Sequence, residues 1–289
     1  MMTVGDVLSW AKQKLIKSGI QDPLTDCEIL LEKELGVDRA RLYAGIKQEF
    51  SVTHLESFKK KVFKRAKRFP LAYILGDTNF MGFDIAVNKD VLIPRQETEL
   101  LAEKAIDVLS GIKKKEKIIV DVGTGSGNIA VSIARAVHGA KIYAIDISEK
   151  ALVLAAKNAR RNKVTKKITF LRGDIFGPMR PLRLNNKIDL IVSNPPYIPE
   201  KDINGLQKEV HFEPRIALDG GKDGLDFYKI IITQAPFYLK RGGCLLFEMG
   251  IKQSVKIKNL INSSGKFEKP MIIKDYSSID RIVCVFLKK

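Results

Sequence analysis

Cysteine and histidine are scarce in this sequence. The three cysteines, Cys27, Cys244 and Cys284, are odd in number, widely separated and outside any CxxC pattern. That usage excludes a disulfide framework and predicts a protein of a reducing compartment, the cytosol. The three histidines show no spacing typical of metal ligands. We therefore expect no bound metal.

Long apolar runs are also absent. No stretch approaches the roughly 18 consecutive apolar residues of a membrane span. The first residues lack the apolar core of a signal peptide, and Asp6, together with the absence of early arginines, argues against a transit peptide. We expect a cytoplasmic protein that does not enter the membrane.

The bulk composition is that of an ordinary globular protein. The chain has 289 residues, of which 45% are hydrophobic and 29% charged, enough for one large domain and a smaller one. Fifty basic and thirty-three acidic residues give a net charge of +17. Such an excess raises the question of a nucleic acid or another acidic partner.

The N-terminal part shows helical spacing of its apolar residues. Four helices are predicted, near 3–18, from Asp22 or Thr25 to Gly36, near 38–45, and over 53–68. We expect a small helical domain over residues 1–76. The last helix is strongly basic, a pattern typical of a solvated face and compatible with docking onto an acidic surface; its basic residues are Lys59, Lys60, Lys61, Lys64, Arg65, Lys67 and Arg68.

The remaining sequence predicts an α/β fold. Alternating residues over 77–93 indicate a β-hairpin linker. Beyond it, helical segments separate most of a series of strands, so residues 94–289 should form an open, mainly parallel sheet covered on both faces. The predicted strands lie near 117–122, 141–146, 168–172, 188–193, 243–249, 269–274 and 281–287.

A glycine-rich loop follows the first strand of this series. Asp121-Val-Gly-Thr-Gly-Ser-Gly127 leads directly into a helix, so its backbone can approach a ligand closely at a helix N-terminus. The second and third strands are followed by Asp146 and Asp174, at the sheet edge where α/β proteins bind ligands. Each acid alone could equally be a loop cap. Together these features predict an adenosine-containing cofactor.

A second motif ends the fourth strand at Asn194-Pro195-Pro196-Tyr197. The prolines fix the turn and remove two backbone donors, which leaves the carbonyl groups of Asn194 and Pro195 and the Asn194 side chain as acceptors. Such a cup suits a planar group that carries an NH2, and Tyr197 would add a flat wall. An isolated Asn-Pro is more often an ordinary strand-ending turn. The glycine loop and the two acids favour the cup.

These motifs resemble those of class I S-adenosylmethionine-dependent methyltransferases, and more specifically those of the protein-glutamine methyltransferases that modify the Gly-Gly-Gln glutamine of peptide-chain release factors. The resemblance covers nearly the whole chain. It departs at Gln96, where the family usually has proline, although Arg95, Glu97 and Glu99 are present. The stretches that carry it are Phe69–Gly76, Val91–Glu99, Asp121–Gly127, Asn194–Tyr197, Glu213-Pro214 and Asp219–Gly224.

The resemblance implies a seven-stranded, Rossmann-like methyltransferase domain behind the helical bundle and the hairpin. It implies S-adenosylmethionine as cofactor and class 1 release factors as protein substrates of a monomeric enzyme, with the bundle helping to dock the substrate and with nucleic-acid contact not required. Asn194, Pro195 and Tyr197 are the expected catalytic residues, and Pro196 joins them in binding substrate. The expected cofactor-binding residues are Gly123, Thr124, Gly125, Ser126, Gly127, Asp146, Asp174, Ile175 and, through its backbone, Asn194.

The Asn-Pro-Pro-Tyr cup alone does not determine which group receives the methyl. Glutamine amide, adenine amine and guanine amine all present a planar NH2. A ribosomal-protein glutamine methyltransferase, a nucleic-acid amine methyltransferase and a cofactor-binding regulator without catalysis are therefore alternatives, although a pure binder would not need the cup. A nucleic-acid substrate could use the second basic run, which contains Lys157, Arg160, Arg161, Lys163, Lys166 and Lys167. The functions of Glu213 and of the 219–224 loop can be explained by helix capping and turn formation.

Overall fold

The computed structural model describes residues 2–289. Two compact units make up the chain, one of residues up to Asp77 with Gln207–Phe212, the other of Thr78–Leu206 with Glu213–Lys289. The helices are α1 (Val4–Lys17), α2 (Pro23–Leu35), α3 (Arg39–Ala44), α4 (Val52–Ala66), α5 (Leu71–Leu75), α6 (Gln96–Ser110), α7 (Asn128–Ala136), α8 (Glu149–Arg161), α9 (Asp226–Tyr238) and α10 (Ser254–Ser264). The strands are β1 (Asp77–Phe80), β2 (Phe83–Ala86), β3 (Lys117–Val122), β4 (Ala140–Asp146), β5 (Ile168–Arg172), β6 (Ile188–Ser193), β7 (Leu239–Glu248), β8 (Met271–Lys274) and β9 (Asp280–Phe286).

The first unit is a bundle of short helices, as the apolar spacing predicts. Thr3 and Asp6 form a capping box at the start of α1, and Gly36 ends α2 in the left-handed conformation that glycine adopts without strain. The short helix α5, between Pro70 and Gly76, was not predicted. Apolar side chains of α1, α2 and α4 fill one core, among them Leu15, Leu30, Leu31, Phe58 and Val62.

The basic helix α4 is not simply a solvated face. Arg65 is 9% exposed, and its Nε lies 2.6 Å from Asp26 Oδ2. Glu209, which returns to this unit from far along the chain, accepts hydrogen bonds from Arg65 at 2.9 Å and from Arg68 at 2.8 Å. These charges therefore hold the unit together, since a buried guanidinium needs such partners.

The second unit contains one seven-stranded sheet and the predicted hairpin. The strand order is β5-β4-β3-β6-β7-β9-β8, and β1 pairs with β2 in a separate two-stranded sheet. Neighbours from β5 to β7 run parallel, whereas β9 is antiparallel to β7 and β8. The α/β fold class predicted from the sequence is confirmed, and the seven observed strands lie close to the predicted ones. The hairpin strands end at Ala86, earlier than the predicted linker does.

Burial explains the apolar strand β6 at the centre of the sheet. All six residues from Ile188 to Ser193 are buried, because a central parallel strand is covered on both faces. Chain order along the sheet reverses between β3 and β6, and at such a switch point the loops after the strands diverge and leave a crevice. The glycine loop follows β3 and Asn194 follows β6. Within residues 2–289 no helix is long and apolar enough to cross a membrane.

Candidate functional site

A cavity opens at the carboxyl ends of β3, β4, β5 and β6. Its lining includes Gly123, Thr124, Gly125 and Ser126 of the glycine loop. Gly123 has φ +72° and Gly125 φ +55°, and a Cβ added to either would meet no atom within 4 Å. The loop thus keeps an open space above a backbone that other residues rarely adopt. That combination fits a ligand lying against the loop.

Gly127, also predicted to bind cofactor, is not part of the cavity lining. At φ +79° it directly precedes α7, and an added Cβ would stand 3.0 Å from the Cβ of Ala155 on α8. Its position instead permits close helix packing. Asn158 on the same helix, fully buried, donates to Ser126 O at 2.8 Å and to Ala86 O at 2.9 Å. This side chain therefore ties the loop to the end of the hairpin.

Two carboxylates accept hydrogen bonds from the glycine loop. Asp146 Oδ2 accepts from Gly125 N at 2.8 Å, and Asp146 Oδ1 accepts from Ser148 N at 2.9 Å. Asp146 also lines the cavity, where each oxygen retains a lone pair for a ribose hydroxyl. Asp121 is fully buried and accepts from Thr124 Oγ1 at 2.6 Å. Burial raises the pKa of Asp121 to about 7, and burial also raises the pKa of Asp146.

The third predicted acid is in a different environment. Asp174 is exposed and lines the cavity next to Ile175. Its carboxylate takes no hydrogen bond from any group within residues 2–289, so it is available to an amine donor. Ile147 and Ile175 give the cavity apolar sides, which suit a flat aromatic base.

The turn after β6 forms another wall of the cavity. Asn194, Pro195 and Pro196 line it. No group within residues 2–289 donates a hydrogen bond to the carbonyl oxygens of Asn194 or Pro195. Buried carbonyl groups are nearly always paired, and these two remain free for a ligand. The structure thus provides the acceptors expected from the Asn-Pro-Pro sequence.

The side chain of Asn194 is hydrogen-bonded to Thr98, which is in turn hydrogen-bonded to Glu248. Its Nδ2 donates to Thr98 Oγ1 at 3.1 Å, and Thr98 Oγ1 donates to Glu248 Oε2 at 2.6 Å. Thr98 is 2% exposed and Glu248 1%. Burial raises the pKa of Glu248 although Thr98 and Tyr197 donate to it. Neither residue was predicted as part of the site.

Tyr197 lies outside the cavity lining, unlike the other members of the motif. Its hydroxyl is 3.2 Å from Glu248 Oε1, and its ring packs against the core of the second unit. Burial and the neighbouring Glu248 charge raise the pKa of Tyr197. Stacking of this ring on a substrate amide stays a prediction, while the observed contacts support the turn.

Glu213 has a more specific role than a helix cap. Its carboxylate accepts from Ile93 N at 3.1 Å and from Arg95 Nη2 at 2.5 Å. Pro94 and Arg95 line one side of the cavity, and Pro214 lines another. Glu213 therefore joins two segments of the cavity wall.

The 219–224 loop forms a turn, as expected, and also supports the Asn-Pro-Pro-Tyr segment. Asp219 Oδ1 accepts from Gly221 N at 3.0 Å. A Cβ at Gly220 would stand 2.9 Å from Pro196 O, and one at Gly224 would stand 2.4 Å from Tyr197 O. Only glycine allows this approach.

Sequence reasoning missed Thr98, Glu248 and Asn158. Thr98 lies inside the Val91–Glu99 stretch but was not singled out. Glu248 was visible as an acid near the end of the apolar strand β7, the same signal that identified Asp146. Asn158 gave no signal, because a polar residue on a helix is usually exposed.

The donor and acceptor set of this cavity fits S-adenosylmethionine. An adenosine group matches this lining, which consists of the open backbone of the glycine loop, the carboxylates of Asp146 and Asp174, and the apolar side chains of Ile147 and Ile175. Within residues 2–289 no group of three or more His, Cys, Asp or Glu side chains could hold a metal ion. Fold and cavity together define a class I S-adenosylmethionine-dependent methyltransferase.

Comparison with known proteins agrees with this class. Residues 113–282 match the family described as a methyltransferase domain, and residues 6–76 match the PrmC N-terminal domain. A methyltransferase structure from Pyrococcus furiosus aligns with a TM-score of 0.50 at 19% identity, covering 72% of this chain and 90% of that one. At that identity the likeness shows the fold alone.

Two curated relatives identify the particular family. The release factor glutamine methyltransferase of Moorella thermoacetica is 37% identical, with 100% of both chains covered. That of Geobacter sulfurreducens is 39% identical, covering 97% of this chain and 95% of the relative. The chain belongs to the release factor glutamine methyltransferase family.

Proposed function

We propose that this protein transfers a methyl group from S-adenosylmethionine to the side-chain amide nitrogen of the Gly-Gly-Gln glutamine in class 1 peptide-chain release factors. The full-length similarity to relatives named release factor glutamine methyltransferases supports a release-factor glutamine as the substrate. The observation that carries the chemistry is the wall of the cavity, where Asn194 and Pro195 present oxygen atoms that no group within residues 2–289 uses.

The chemical difficulty lies in the substrate nitrogen that receives the methyl group. An amide nitrogen is a poor nucleophile, because its lone pair is delocalised onto the carbonyl group. When bound, S-adenosylmethionine supplies a methyl group already activated by a positively charged sulfur. Asn194 Oδ1 and the Pro195 carbonyl would accept hydrogen bonds from the substrate NH2. These bonds strengthen as positive charge develops on the nitrogen, so they favour the transition state over the ground state.

The cup also orients the amide. Two acceptors fix the plane of the NH2 group relative to the glycine loop, where Gly123, Gly125, Asp146, Asp174 and Ile175 would hold the cofactor. Positioning of this kind can supply about 7–11 kcal/mol toward the barrier. A separate general base is not needed, because the methylated, positively charged nitrogen is acidic and can release its proton to water.

The helical domain would dock the protein substrate. We propose the division expected from the sequence, with residues 1–76 as the docking domain, 77–93 as the linker and 94–289 as the methyltransferase domain of a monomeric cytoplasmic enzyme. The match of residues 6–76 to a named N-terminal domain supports a separate role for this part.

The substrate is tested by methyl transfer from labelled S-adenosylmethionine to a purified release factor, followed by peptide mass mapping. We expect one methyl on the Gly-Gly-Gln glutamine and none on a release factor with that glutamine replaced by alanine. Ribosomes and total RNA are offered in parallel. Label on ribosomal protein or RNA, with the release factor unmodified, would replace the proposed substrate and retain the fold and the cofactor.

A further inference from the structure

The Asn194 amide belongs to a continuous series of hydrogen bonds. Asn194 Nδ2 lies 3.1 Å from Thr98 Oγ1, which lies 2.6 Å from Glu248 Oε2, and Tyr197 donates to Glu248 Oε1 at 3.2 Å. Thr98 comes from α6 and Glu248 from the end of β7, so three separate segments meet at this point. Thr98 and Glu248 are almost fully buried.

The number of available protons determines which group donates in each of these hydrogen bonds. A threonine hydroxyl has one proton to donate, and in the structure Thr98 donates it to Glu248 Oε2 while Tyr197 donates to Oε1. The oxygen of Thr98 is thereby left as an acceptor toward Asn194. Only the NH2 end of the asparagine amide can fill that place. The Oδ1 end is then turned away from Thr98, and no group within residues 2–289 donates to it.

The direction matters because an asparagine amide can rotate by 180° and exchange its donor and acceptor ends. With Oδ1 toward a substrate NH2, Asn194 accepts a hydrogen bond that strengthens during methyl transfer. With Nδ2 in that place, two donors would oppose each other. The sequence motif supplies the amide but does not determine which end faces the substrate.

We propose that Thr98 and Glu248 are positioning residues, which hold the Asn194 amide with its oxygen toward the NH2 group that receives the methyl. This inference rests on the proposed function and extends it to two residues that act through Asn194, of which Thr98 also lines the cavity. Tyr197 contributes by occupying the second oxygen of Glu248.

A double-mutant cycle tests the proposal. Thr98→Val keeps the shape of the side chain and removes the hydroxyl, whereas Thr98→Ser retains the hydroxyl. Each variant is made with Asn194 intact and with Asn194→Ala. Single-turnover methylation of the release factor, binding of S-adenosylhomocysteine by calorimetry and the thermal midpoint are measured for all of them.

We expect Thr98→Val to slow methyl transfer by about 10- to 100-fold, as loss of an outer-shell partner does at metal sites. In the Asn194→Ala background the same change should cost less than about 2-fold, because the group being positioned is gone. Thr98→Ser should keep most of the activity, and cofactor affinity should stay unchanged in every variant.

Equal losses from Thr98→Val in the two backgrounds would overturn the inference, since a purely structural role does not depend on Asn194. If Thr98→Val does not fold, Thr98→Ala takes its place in the same cycle with the same expectation, because it also removes the hydroxyl. Failure of the wild-type protein to methylate the release factor would overturn the proposed function, and the inference with it. Equal losses in an active enzyme would overturn the inference alone.

Discussion

Glu213 Oε1 lies 2.5 Å from Arg95 Nη2, and the same carboxylate accepts from Ile93 N at 3.1 Å. The Glu213 side chain is 2% exposed and that of Arg95 37%. A buried carboxylate thus fastens the loop before α6 to the segment that carries Pro214. The long separation of these residues in the sequence concealed the contact.

Glu213→Gln should destabilise the protein by about 1.5–3 kcal/mol, the usual value of hydrogen bonds to a charged group. Ile93 N and Arg95 Nη2 donate to different oxygens of Glu213, and glutamine replaces one of these oxygens by an NH2 group that cannot accept. Urea unfolding measures the effect, and the exposed Glu116→Gln is the matched control. A stability loss no larger than that of the control would show that the contact is unimportant.

Gly125→Ala should weaken cofactor binding about 10-fold or more. At φ +55° an alanine is strained by about 1–2 kcal/mol, and its methyl group would project into the open space beside Asp146. Calorimetry with S-adenosylhomocysteine checks this outcome. Gly205→Ala is the control, because Gly205 has open space and no positive φ. Equal affinities of the two variants would remove the glycine loop from the cofactor site.

Asp121→Asn should change how stability depends on pH. The pKa of this buried carboxyl is about 7 in the folded protein, against 3.8 for an unperturbed aspartate. A raised pKa means that stability is fully present below pH 3.8 and is lost as the pH rises through 7. Asparagine keeps the neutral form at every pH. Denaturant unfolding at pH 5 and pH 8 should show the variant gaining about 2–3 kcal/mol on the wild type, because about two pH units separate pH 5 from the folded-state pKa at about 1.4 kcal/mol each; parallel changes in the two proteins would contradict this.

Asn158→Ala should loosen the end of the hairpin at Ala86, which Asn158 ties to the glycine loop. Asn158 accepts from Ala86 N at 2.8 Å and donates to the carbonyls of Ala86 and Ser126. Each buried group that is left unpaired costs about 1–3 kcal/mol of the free energy of unfolding. Hydrogen exchange should speed up at Ala86, measured against Asn262→Ala at an exposed helix position. Unchanged exchange there would mean that the hairpin is held by other contacts.

The sequence was informative where function depends on short motifs. The central strands, the glycine loop and the Asn-Pro-Pro turn are each encoded by neighbouring residues, so their positions could be predicted. Thr98, Glu248 and Glu213 act through partners more than 90 residues away, and no local pattern reports such pairs. Gly127 and Tyr197 lie outside the cavity lining, because a motif does not tell which of its members face the cavity; their predicted roles toward cofactor and substrate stay predictions.

The central claim is that the Asn194 amide accepts a hydrogen bond from the substrate NH2 during methyl transfer. Single-turnover methylation of a release factor by Asn194→Ala tests it most directly, with Asn262→Ala as control and with S-adenosylhomocysteine affinity measured in parallel. We predict a rate lowered by about 10²- to 10³-fold, the usual effect of removing one preorganised contact, at nearly unchanged cofactor affinity. A rate within a few-fold of wild type would contradict the account.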